Sequence, residues 1–175
     1  MPELQSMNDL FVNKLRDLLN AERQLLDALP KMARAASTPA LRKAFEDHRK
    51  MTDTHVARLK EVFGLMDLTP RGKACKGMEG LVEEGNEMIE HDGDEAVKDA
   101  GLISAAQAVE HYEIAAYGTA VTYAELLGND NAAELLKATL AEEKATDKKL
   151  TELAERDVNN RAAHANGGSG SAREE

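Results

Sequence analysis

Seven residues of this 175-residue chain combine metal-ligating chemistry with a spacing that would bury them: Glu22, His48, His55, Glu110, Glu113, Glu143 and Asp147. Each falls on an apolar stripe when its segment is read at alternating steps of three and four residues, the repeat of one helix face. Glu22 interrupts a run from Leu4, Met7, Phe11, Leu15 and Leu18 to Leu25, Leu29 and Met32. Glu110 and Glu113 stand between Ile103, Ala106 and Tyr117, Ala120, while Glu143 and Asp147 stand between Leu136, Leu140 and Leu150, Ala154. A fourth stripe carries imidazoles instead, in the order Leu41, Phe45, His48, Thr52, His55 and Leu59. A buried, uncompensated carboxylate costs several kcal/mol, and no lysine or arginine shares these stripes. Oxygen donors with one or two imidazoles suit iron or manganese. The usual di-iron arrangement in a bundle takes four carboxylates and two histidines. Its Glu-x-x-His spacing is absent: no histidine here has Glu three residues before it, and both stripe histidines lie on one segment. A polar core satisfied by protons, with no metal, is the competing reading.

Positioning these groups requires long helices, and the punctuation of the chain supplies them. Ser6 caps a first helix to about residue 36, and Thr38 before Pro39 starts a second that runs to about Gly64. A looser stretch leads to a short amphipathic segment from about Lys76 to Ile89. Two more long helices follow, about 95–127 and 132–158, with Gly128 suited to a left-handed cap and Asn131 with Glu134 resembling a capping box. A flexible tail is expected from Asn159 to residue 175. Two hairpins joined by about thirty residues give an all-α four-helix bundle with one long crossover containing a short extra helix. Reflection about the first turn sets Glu22 level with residue 53, near His55, and reflection about the second pairs Glu110 with Asp147 and Glu113 with the neighbourhood of Glu143. The two hairpins agree in height only if the second and third long helices run parallel; an up-down-up-down bundle would misplace the groups by about 9 Å. At these heights His55 is the nearer imidazole to Glu22, and His48 lies about two turns away.

Composition narrows the setting. With 32 acidic against 22 basic residues the formal charge is −10, which disfavours nucleic acid and anionic membranes as partners. No apolar run reaches a membrane span, and the opening MPELQSMNDLF lacks the pattern of a signal peptide, so a cytoplasmic protein is expected. The lone Cys75 excludes a disulfide framework and any multi-cysteine metal site. Tyr117, one turn after Glu113, is placed to hydrogen-bond a buried carboxylate; His111 points off the stripe.

Four words then match a known family: Ala21-Glu-Arg-Gln-Leu, the run Met78 to Glu87, Val109-Glu-His-Tyr-Glu-Ile-Ala-Ala-Tyr-Gly, and Leu140-Ala-Glu-Glu-Lys-Ala-Thr-Asp. Over about residues 6–158 the chain resembles the YciE/YciF-type bacterial stress proteins, which are ferritin-like. The resemblance implies a ferritin-like bundle, a dinuclear iron site, a homodimer and expression under stress, with no established reaction. Glu22, Glu110, Glu113, Glu143 and Asp147 stand inside the matching words. Three functions stay open: a di-iron protein reacting ferrous iron with oxygen or peroxide, a non-enzymatic dimeric interaction protein with a vestigial site, and a manganese catalase-like activity.

Overall fold

A computed structural model describes residues 4–165. Helix α1 spans Met7–Ala35 and α2 Pro39–Leu65; α3 is Lys76–Glu90, α4 Glu95–Leu126 and α5 Asp130–Leu153. A π-helical turn, Ala154–Val158, leads into a short α6, Asn159–Ala163. The sequence signals for the starts hold where side chains can reach the free backbone amides. Asp9 N donates to Ser6 Oγ at 3.1 Å and Leu41 N to Thr38 Oγ1 at 3.4 Å; Asp94, which the sequence reading did not single out, caps α4 by accepting from Ala96 N at 2.8 Å. Gly128 takes the left-handed conformation at φ 69° and ends the turn after α4.

Three expectations need correction. Leu4 precedes α1 and is exposed, as is Met7, so the buried stripe begins at Phe11. The cap of α5 is Asn129, with no side-chain hydrogen bond, rather than Asn131. The expected tail 159–175 begins as helix: Ala154 and Val158 of the π turn are buried in the core, and this packing carries the chain on into α6. Residues 166–175 lie outside the described residues.

The four long helices form a ferritin-like bundle whose apolar core is divided in two. One cluster joins the end of α1 and the start of α2 to the start of α4 and the end of α5, through Leu29, Met32, Leu41, Phe45, Leu102, Ile103 and Leu150. The other joins the opposite ends, through Phe11, Leu15, Leu59, Phe63, Tyr117, Val121 and Leu136. Each cluster pairs the beginning of α2 with the beginning of α4, or end with end, so these helices run parallel, as the height argument required. The crossover makes this possible: α3 lies against α1 and α4. It is tied there by hydrogen bonds from Cys75 N to Asn20 Oδ1, 2.7 Å, and from Gln24 Nε2 to Cys75 O, 3.1 Å. Tyr112 on α4 donates to Asp17 on α1 at 3.0 Å, and its oxygen lies 2.9 Å from the Cys75 thiol.

One buried acid in the core is purely structural. Asp99 of α4 is fully buried and accepts from Ser37 N (2.8 Å), Ser37 Oγ (2.8 Å) and Thr38 N (3.1 Å), which pins the α1–α2 turn to α4.

Candidate metal centre

Between the two apolar clusters the core is polar. Glu22 on α1, His48 and His55 on α2, Glu110 and Glu113 on α4 and Glu143 on α5 are all buried, each no more than 2% exposed. Their positions follow from helix geometry: His48 and His55 are separated by two turns on one face, Glu110 and Glu113 by one turn. One set consists of His48, Glu110, Glu113 and Glu143, the other of Glu22, His55 and Glu143, and within each set the ligating atoms lie within 4.8 Å of one another. Glu143 belongs to both. Six of the seven residues singled out in the sequence are thus brought together.

Asp147 is not among them. It lies to the side of the α4–α5 contact, where Gln107 Nε2 donates to it at 3.0 Å and the exposed His111 stands 3.4 Å away. The stripe of α5 runs through Leu136, Thr139, Glu143, Thr146 and Leu150, one register over from the apolar spacing through Leu140 and Asp147. Two threonines take core positions that their polarity concealed.

Hydrogen bonding separates this cluster from an ordinary polar core. Asp99, equally buried, has both oxygens engaged by donors. By contrast both oxygens of Glu113 and of Glu143, one oxygen each of Glu22 and Glu110, Nε2 of His48 and Nδ1 of His55 are buried with no hydrogen-bond partner. His55 Nδ1 lies 2.9 Å from Glu143 Oε1 and 3.5 Å from Glu22 Oε1, and His48 Nδ1 lies 3.1 Å from Glu110 Oε1. So many adjoining lone pairs without donors, in a region where buried polar groups are almost always paired, suit a cation. Four carboxylates and two neutral imidazoles carry four negative charges, which two divalent cations would cancel.

Burial and mutual repulsion act on Glu22, Glu110 and Glu113 in the same sense. Burial pushes the Glu113 carboxyl well above its ordinary 4.5, and the neighbouring Glu143, Glu22 and Glu110 add to the shift. Burial also raises Glu22, against the opposing pull of His55. Glu110 is pushed up to about 7, again by burial, with His48 pulling it back. Burial alone would lower both imidazoles, but the surrounding carboxylates outweigh it: His48 is raised through Glu110, and His55 to about 10 through Glu143 and Glu22. In the metal-free protein, therefore, protons must supply the missing positive charge.

Around these groups stand three residues that fix their orientation. Tyr117, fully buried, donates its hydroxyl to Glu22, and burial followed by the Glu22 charge raises its own pKa. His55 Nε2 lies 2.9 Å from Glu142 Oε2, and Arg58 grips the same carboxylate, its Nη2 2.9 Å from Oε1. Neither Glu142 nor Arg58 falls on an apolar stripe, and the sequence reading passed over both. The available signal was that Arg58 follows His55 by one turn and so projects on the same side of α2.

Comparison with known proteins now bears on this arrangement. The family described as a domain of unknown function, DUF892, matches residues 6–163. The chain belongs to that family. Protein YciF of Escherichia coli K12 is 49% identical over 160 residues, covering 91% of this chain and 96% of its own. The crystal structure of the E. coli stress protein YciF superposes with a TM-score of 0.86, over 89% of this chain and 99% of that one. YcfI from Rhodopseudomonas palustris, 40% identical, gives 0.83 over 85% of this chain and 95% of its own. A protein from Xanthomonas campestris pv. campestris, 23% identical, shares the fold at 0.69 over 90% and 97% of the two chains. Among the described residues no helix is long and apolar enough to cross a membrane.

Proposed function

We propose that the chain binds two iron ions, one beside Glu22 and His55 and one beside His48, Glu110 and Glu113, with Glu143 serving both. The observation that carries this is the double membership of Glu143 in two buried ligand sets whose total charge matches two divalent cations. Hard oxygens with imidazole also accommodate manganese. What the bound pair would supply is electrons for the reduction of dioxygen or peroxide.

The protein's own groups serve such chemistry in recognisable ways. Four carboxylates favour the more highly charged oxidised metal. Tyr117 holds Glu22 in one orientation and keeps a phenolic proton next to the site. The apolar clusters above and below exclude bulk water.

Chelator-stripped protein titrated with ferrous iron without air should take up two ions per chain, and admission of oxygen should then oxidise them faster than free ferrous ion. Protein that binds no iron would overturn the proposal; protein that binds two and leaves them ferrous in air would limit it to binding.

A further inference from the structure

A histidine ligand must present an unprotonated nitrogen, and the partner of its other nitrogen decides which one that is. His55 is the informative case. Its Nδ1 faces Glu22 and Glu143 at 3.5 and 2.9 Å without making a hydrogen bond, whereas its Nε2 is engaged by Glu142 Oε2 at 2.9 Å. Arg58 holds that carboxylate by both terminal nitrogens, and its Nη1 also lies 3.3 Å from Thr139 Oγ1, so the acceptor is fixed from two helices.

We propose that Glu142 and Arg58 are positioning residues, which hold the His55 ring so that Nδ1 is presented to the cation position between Glu22 and Glu143. The inference rests on the metal-binding reading given above. It gives the two halves of the centre different dependences. His48 has Glu110 and Glu143 as its ionic neighbours, both themselves candidate ligands, and no outer carboxylate among the described residues. The His55 half instead relies on a pair that reaches the surface, the side chains of Glu142 and Arg58 being 35% and 22% exposed while His55 is wholly buried.

Cobalt(II) titration of chelator-stripped protein, followed by visible absorption and by equilibrium stoichiometry, tests this without any turnover. Wild-type protein should bind two cobalt ions per chain. In Glu142→Ala one of the two should bind as in wild type and the other about 10–100-fold more weakly, the usual effect of removing a ligand's outer partner. Glu142→Gln, which keeps the volume and leaves a carbonyl acceptor, should fall between them, and Arg58→Ala should weaken the same step, with Arg58→Lys recovering part of the loss. If wild type binds two ions and the Glu142 variants bind both with unchanged affinity, the pair is only a surface bridge and the inference fails while the metal reading stands. Equal weakening of both steps would also overturn it. If wild type binds no cobalt, both fall together.

Discussion

Replacing Glu110 by glutamine should change stability in opposite directions with and without metal. In the metal-free protein the Glu110 carboxyl is held at about 7 by burial, against an ordinary value of 4.5. An acid raised by folding prefers its proton in the native state, so the native state gains nothing from this group below pH 4.5 and is progressively penalised as pH rises towards 7. Above about pH 8 the penalty is constant at about 3 kcal/mol, from 1.36 kcal/mol for each of the roughly 2.5 pH units between the two values. Glutamine cannot ionise, and its carbonyl can still accept from His48. Chelator-treated Glu110→Gln should therefore be more stable than wild type by about 2–3 kcal/mol at pH 8, with the difference vanishing by pH 4.5. Urea denaturation at several pH values reads this directly. With saturating ferrous or manganous ion the order should reverse, because the amide has lost the charge that faces the cation, and the rise in Tm on adding metal should shrink. A metal-free variant less stable than wild type at pH 8, or an advantage that persists at pH 4.5, would refute the reasoning.

Other consequences can be checked in the same preparations. His55, raised to about 10, stabilises the metal-free fold fully below pH 6.5 and loses that contribution as pH climbs to 10; thermal melts should show metal-free protein weakening across that window while metal-loaded protein stays flat. Asp99→Ala strands the amides of Ser37 and Thr38 and should cost about 2–4 kcal/mol in denaturation, with metal stoichiometry unchanged. Gly77→Ala would place a Cβ 2.8 Å from the Tyr112 ring, which Asp17 and Cys75 hold in place, and should cost about 1–3 kcal/mol. Gly80→Ala, with open space around the new methyl, should instead stabilise by up to about 1 kcal/mol.

Much of the architecture was legible because the polar residues that matter sit where apolar ones belong. Glu22, Glu110, Glu113 and Glu143 each break a stripe at mid-helix, and a bundle with one crossover is the connectivity that brings them level. Polarity misled where it was the only guide. Thr139 and Thr146 are core residues of α5, whereas the stripe followed by apolar spacing runs through Leu140 and Asp147 and leaves both threonines out. Glu142 and Arg58 escaped because an outer partner is defined by contact between helices, here α2 and α5, and leaves no periodic trace in either helix alone. Asp99 shows the converse, since a buried acid four residues before Ile103 looks like a ligand on spacing. Only the three donors around it reveal its role as a clamp on the turn.

The central claim is that two cations share Glu143, and anomalous diffraction at the iron edge, from crystals loaded with ferrous iron, tests it most directly. Two peaks are expected beside Glu143, one bordered by Glu22 and His55 and the other by His48, Glu110 and Glu113. A single peak, no peak, or iron bound instead at Asp147 and His111 would contradict it.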